Sequence, residues 1–206
     1  MAEINTYQRI LHSASALFAQ HGYAGTIMDD LAAQCEVNKA SIYYHHKDKA
    51  TLYENVLSAL FVPVADAVTQ AVAAEQDAVK KMQAHITTFA EATIKNPEFA
   101  AILMREMASG GDNMPIAARQ QMQRILKTLH ETLLLGQSQS IFKAADVLII
   151  HFMIVGTINL FIASLPFRRS LPKTDEFVLM KNTQIESASQ QLVETIIGAL
   201  LSEEKV

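Results

Sequence analysis

Three helix starts crowd between Thr26 and Lys49, and they leave this stretch few ways to fold. Thr26 is read as the first N-cap, with Asp29 three residues on as a variant capping box. Asp29 and Asp30 sit at the positive end of that helix. A break at Cys35-Glu36-Val37 follows, and Asn38 caps the next segment, Lys39 to His45. Val37 before the cap and Ile42 inside the segment have the spacing of a hydrophobic staple. Asp48 caps a third start, and Lys49 opens a long helix. Upstream, Tyr7, Ile10, Leu11, Ala14, Leu17 and Phe18 repeat at helical spacing, and Gly22 ends that stripe. The apolar members (Leu17, Phe18, Leu31, Ala32, Val37, Ile42) suffice for one small core. The Lys39–His45 segment is too short and too polar to be explained by core packing. Insertion into a DNA groove explains it better.

Over Thr6 to Leu57, and above all over Gly22–Ala32 and Val37–Lys49, the chain resembles the DNA-binding domain of the TetR family of transcriptional regulators. Ser41-Ile42-Tyr43-Tyr44-His45 and Lys47-Asp48-Lys49-Ala50-Thr51-Leu52-Tyr53 carry the likeness. The resemblance implies an all-α chain: an N-terminal three-helix helix-turn-helix domain (1–48) and a larger helical ligand-binding and dimerisation domain (49–206). It implies that Thr26 meets a phosphate. Lys39, Ala40, Ser41, Tyr44 and His45 face bases or adjacent phosphates, Tyr43 bonds a phosphate, and Lys49 meets the backbone at the start of the fourth helix. The physics agrees, because helix N-termini and hydroxyls position a protein on phosphates while groove-facing side chains read bases. Ala40 is small enough to touch a thymine methyl.

Three positions depart from the family pattern. Glu36 stands where a glycine is usual, so it must accept a left-handed backbone, at about 1 kcal/mol, or alter the turn. His46 stands where an apolar aromatic is usual, and is expected either to weaken the domain or to reach outward. Residues 1–50 carry four cations against five anions, net −1 before histidines. DNA affinity rests on phosphate neutralisation, so modest, strongly salt-sensitive binding per subunit is expected, helped by His12, His21, His45 or His46 if protonated. Adjacent His45 and His46 point to different sides of a helix and lack a ligand partner at metal spacing. Cys35, the single cysteine, excludes an intramolecular disulfide and reads as a small buried side chain, with redox sensing the alternative.

The remainder reads as more helix. Lys49 to about Ala74 is one long helix that Pro63 should kink or break. A second stripe runs from Val79 to Ile94. Asn96-Pro97-Glu98 opens a short helix, and Gly110–Asn113 is a loop. Ala118 to Leu133 forms a helix stopped near Gly136. Asp146 to Leu165 is apolar almost all round, a central helix covered on all sides rather than a membrane span. Pro166 and Pro172 bracket a loop to about Thr183, and Ile185 to Leu200 form the last helix.

The resemblance further implies an effector pocket in the larger domain, largely apolar, for an unknown small molecule. Expected lining residues are Phe89, Met104, Met107, Met122, Phe152 and Val155, with His151 and Asn159 as polar anchors; plain core packing is the alternative for each. His85 and His130 are read as surface or edge residues, and Arg105-Glu106 as a structural ion pair. The resemblance also implies a homodimer through Asp146–Leu165 and Gln184–Leu201. Half the residues are hydrophobic, with 7 glycines and 5 prolines, which suits an all-helical, cytoplasmic chain. No Gly-rich phosphate loop, nucleophile–base set or metal motif suggests an enzyme, and no cofactor is expected. The reading is a DNA-binding transcriptional regulator, a repressor released from its operator by an effector. Its rival is a helical ligand-binding or protein-interaction module with weakened or lost DNA binding.

Overall fold

A computed structural model describes residues 5–172 and 184–202. The described helices are α1 (Thr6–Gly25), α2 (Met28–Gln34), α3 (Lys39–His45), α4 (Lys49–Ala74) and α5 (Ala78–Lys95). They continue as α6 (Pro97–Ala108), α7 (Ile116–Ser138), α8 (Val147–Ala163), α9 (Leu165–Ser170) and α10 (Ile185–Leu200). Among the described residues, extended pairing is confined to an isolated bridge between Phe142 and Leu201. The far part of the expected loop, residues 173–183, lies outside the described residues.

The local signals act where side chains can reach amides. The Asn5, Asn38, Asp48, Asp77 and Asp146 side chains accept from backbone N–H groups in the first turns of α1, α3, α4, α5 and α8. Gly22 does break α1, with φ 72°. Glu36 takes the left-handed backbone, with φ 53°. A glycine at 36 removes that strain, so Glu36→Gly should stabilise the chain by up to about 1 kcal/mol; an unchanged or lowered urea midpoint would refute it.

Three local expectations are corrected. Ile27, not Thr26, is the N-cap residue of α2, without a side-chain bond. The Thr26 hydroxyl instead donates to the Gly22 carbonyl at 2.8 Å and is buried. Pro63 does not divide α4, which stays one helix through Ala74. Pro63 and Ala59, whose carbonyl loses its bond, are both exposed, so water can replace that bond. Helix α7 ends at Ser138, near Gly136 as expected. Gly136 is buried in its last turn, where a side chain would overlap the Phe142 ring, and its carbonyl accepts from Ile141 and Phe142. Pro166 opens the short helix α9 rather than a loop, as its fixed φ suits a first turn.

One buried apolar cluster runs from Ile10 to Leu200. Helix α4 is its axis, packing on α1, α5 and α7. Leu52, Val56, Leu57, Val64 and Val68 face inward along it. By length and composition alone α4 could cross a membrane, but this buried stripe explains its apolarity. Helix α6 lies between α1 and α8, so the first three helices rest on the body through both α4 and α6. Helix α8 is not covered on all sides. Ile150, His151, Ile154, Ile158 and Asn159 turn inward, while Leu148, Ile149, Phe152 and Leu160 face solvent on this single chain. Phe167 of α9 extends that apolar surface.

Candidate nucleic-acid interface

Helix α3 is held by one inward side chain and two polar ends. Ile42 is fully buried, and the Asn38 side chain accepts from the Ser41 amide (2.7 Å) and hydroxyl (3.0 Å). Lys39, Ala40, Tyr43 and Tyr44 consequently face outward together. Tyr44 is 86% exposed, which no packing role accounts for. His45 is half-buried, its ring edge-on to Tyr7 and Tyr44. The outer face thus offers an ammonium, a methyl and two phenols.

The cations are less free than the sequence suggests. Lys39 is salt-bridged to Asp29 of α2 at 2.9 Å, and the Asp29 hydrogen bond holds its pKa above the ordinary value. The Lys49 ammonium donates to the Ala24 carbonyl at 3.4 Å and lies 4.8 Å from the Tyr23 ring centroid. Burial pulls its pKa down. Asp48 is held below its usual range by the Thr51 amide.

His46 neither reaches outward nor serves as a cation. It is fully buried, stacks on Tyr7 with centroids 4.9 Å apart, and its Nδ1 pairs with the Asn55 amide nitrogen at 3.0 Å. Burial, then the neighbouring His45, lowers its pKa, so it stays neutral. Its flat ring fills the site an apolar aromatic would. Cys35 is buried as expected.

The expected pocket residues differ in exposure on this chain. Phe89 and Asn159 are fully buried and His151 nearly so; Met104, Met122 and Val155 are half-buried. Met107 and Phe152 are exposed on this chain, Phe152 at 61%. Grooves of about 460 Å³ open elsewhere, one between Tyr23, Tyr53 and Met114, another between Thr69, Lys81 and Thr132. Neither is lined by any of the eight.

Sequence reasoning missed three polar groups. His85 is not at the surface but wholly buried, with neither ring nitrogen hydrogen-bonded. Burial, with His151 nearby, pushes it down to about 3. Its i, i+4 neighbour Phe89 in the core was the available signal. Arg105 and Glu106 are not an ion pair with neighbouring helices. Arg105 donates to the Ala19 and Gln20 carbonyls at 2.8 and 2.6 Å, and the buried Glu106 accepts from the Tyr53 hydroxyl at 2.6 Å.

A three-helix head that turns a polar, aromatic helix outward from an apolar helical body defines a helix-turn-helix transcriptional regulator. The family model "Bacterial regulatory proteins, tetR family" matches residues 10–56, and "Tetracyclin repressor-like, C-terminal domain" matches residues 79–196. The chain belongs to the tetR family of DNA-binding transcriptional regulators.

The biofilm operon icaADBC HTH-type negative transcriptional regulator IcaR of Staphylococcus aureus (strain Newman) is 40% identical over 53 residues, 26% of this chain and 28% of that protein. The match thus spans little more than a quarter of that relative's length. The Bacillus subtilis regulator FadR in complex with stearoyl-CoA shares the fold at TM-score 0.67 and 19% identity, covering 94% of this chain and 98% of that one. The Mycobacterium tuberculosis ketosteroid regulator KstR2 does so at TM-score 0.75 and 18% identity, covering 97% and 96%.

Proposed function

We propose that the chain is a repressor that binds a two-fold operator as a homodimer and is released by a largely apolar small molecule. The observation that carries the DNA contacts is the outward face of α3: Lys39, Ala40, Tyr43 and Tyr44 are exposed together while Ile42 alone anchors the helix. In this reading residues 1–48 bind DNA. Lys39, Ala40, Ser41, Tyr44 and His45 meet bases or adjacent phosphates, and Tyr43 and Lys49 meet the backbone. Thr26 contributes from the start of α2, with its hydroxyl turned inward onto Gly22. A phosphate reaching Lys39 competes with Asp29 for it.

Residues 49–206 then dimerise and sense the effector. The apolar face of α8 (Leu148, Ile149, Phe152, Leu160) supports a partner over Asp146–Leu165, with Gln184–Leu201 beside it. A second copy would also cover Phe152, which one chain leaves in water. The buried, unpartnered ring nitrogens of His85 and Nδ1 of His151 support an effector site between α5 and α8. The stearoyl-CoA bound by FadR belongs to a protein alike in fold alone and assigns no effector here. The reading places the protein in the cytoplasm and in no membrane, where its operator lies.

The test is a gel shift with the DNA flanking the chain's own gene at two salt concentrations. Tyr44→Ala should cost about 1–3 kcal/mol and change site preference, while Tyr43→Phe weakens all sites alike. Binding by Tyr44→Ala with unchanged affinity and preference would sink this assignment of α3.

A further inference from the structure

Helix α6 carries two consecutive residues, one bonded to the head and one to the stretch of α4 on which the head rests. Arg105 places its guanidinium on the Ala19 and Gln20 carbonyls, at 2.8 and 2.6 Å, just before the Gly22 break in α1. Those carbonyls would ordinarily bond the amides of residues 23 and 24, beyond the break. Arg105 therefore caps a helix end from another part of the fold. Glu106 turns the other way, into the interior, and accepts from the Tyr53 hydroxyl of α4 at 2.6 Å. Both partners of that bond are about 3% exposed, so it is shielded from water.

The contact continues toward the DNA side. The Tyr53 ring lies 4.7 Å from Phe18 and 5.0 Å from Tyr23. The Tyr23 ring in turn carries the Lys49 ammonium at 4.8 Å. Side chains in contact thus run from Glu106 through Tyr53 and Tyr23 to Lys49, the expected backbone contact. Arg105 holds α1 from the same turn of α6. On its other side α6 packs on α8, whose outer face is the expected dimer surface.

We propose that Arg105 and Glu106 are positioning residues for DNA recognition: they fix the tilt of the head on the body, and with it the half-site spacing that a dimer accepts. The proposal rests on the DNA-binding, dimeric reading. Arg105 holds α1 directly and Glu106 fixes the Tyr53 ring against Phe18 and Tyr23 of α1, so the head is held at two points, where one would leave rotation about a point. Both bond types are directional, and carbonyls facing a guanidinium tolerate little displacement. Neither residue lies on the outward face of α3, so their removal leaves base reading intact.

The experiment uses the full-length protein. Duplexes are selected from a random pool by the unaltered protein, and affinities are then measured for its preferred site and for versions with the central spacer changed by one or two base pairs. Arg105→Gln and Tyr53→Phe should keep the same half-site sequence. Their discrimination between the preferred and altered spacers should fall about five- to tenfold. Arg105→Lys, which keeps charge and a donor, should restore part of it. Tyr44→Ala should instead lower affinity at every spacing alike. Tyr53→Phe leaves the Glu106 carboxylate unpaired and could unfold the chain; Arg105 is exposed, so its variant keeps the test open, with circular dichroism verifying the fold. Unchanged spacing preference in a folded Arg105→Gln protein overturns the proposal. Selection of no duplex by the unaltered protein overturns the DNA-binding reading beneath it, a different and separately visible result.

Discussion

Acid will destabilise this chain between pH 6.5 and 4 more than its carboxylates account for, and His85→Leu will remove much of that sensitivity. Burial holds the His85 imidazole down to about 3, from an ordinary 6.5. Burial also lowers His46 and His151. The unfolded chain takes up these protons as the pH drops through about 6.5, whereas the folded chain refuses them. The stability from neutral, buried imidazoles is therefore complete above that pH and declines toward the folded values. For His85 alone the loss is about 3 kcal/mol by pH 4. His85→Leu should flatten the dependence of the urea midpoint on pH across that window. At pH 7 it should not weaken the fold, because neither His85 nitrogen has a partner to lose. An identical pH slope in the variant and the parent would show that His85 stays neutral for no energetic reason of its own.

Valine at Gly136 should be the most damaging single small-to-large change in the body. A Cβ there would overlap the Phe142 ring, and Phe142 is itself buried and tied to the Gly136 carbonyl. Neither the ring nor the backbone can give way without unseating the bridge to Leu201. Overpacking of this kind costs about 2–3 kcal/mol. For a chain of this size that lowers the melting temperature by roughly 5–10 °C. Gly198→Ala is the matched control. On the single chain a side chain there meets nothing within 4 Å, so the isolated subunit should gain about 0.5–1 kcal/mol in α10, and a loss in the dimer would mark contact with the partner. Equal melting temperatures for Gly136→Val and the parent would mean that the α7–α8 connection repacks freely.

The head was legible because its instructions are short-range. The Asn38 and Asp48 caps, the Ile42 anchor and the Gly22 stop each act within four residues, and each is seen in the fold. Even the strain at Glu36 could be read, since a missing glycine is a local signal. Thr26 misled because its hydroxyl had two acceptable uses, and it takes the carbonyl of Gly22 behind it rather than an amide ahead. The body was legible as helices but not as a site. His85 sits on a helix of mixed polarity, where Phe89 one turn on marked its face, but only the packing of the neighbouring helices shuts it away from water. Phe152 and Phe89 look alike in sequence, yet one faces water and the other the core. The Arg105 and Glu106 partners lie more than fifty residues away in the chain. No periodicity encodes such a distance. Pro63 shows the same limit from the other side: a residue that usually ends a helix is carried through where solvent supplies what it lacks.

Gly22 gives the break in α1 a genetic meaning. Any other residue at its φ of 72° is strained, and the cheapest relief is to let the helix run on. The Ala19 and Gln20 carbonyls would then find partners within their own helix, and Arg105 would lose its acceptors. A lesion at a residue on neither the DNA face nor the dimer face should therefore yield a folded, abundant, inactive allele. In a screen for lost regulation, such alleles would map to Gly22 beside those in α3.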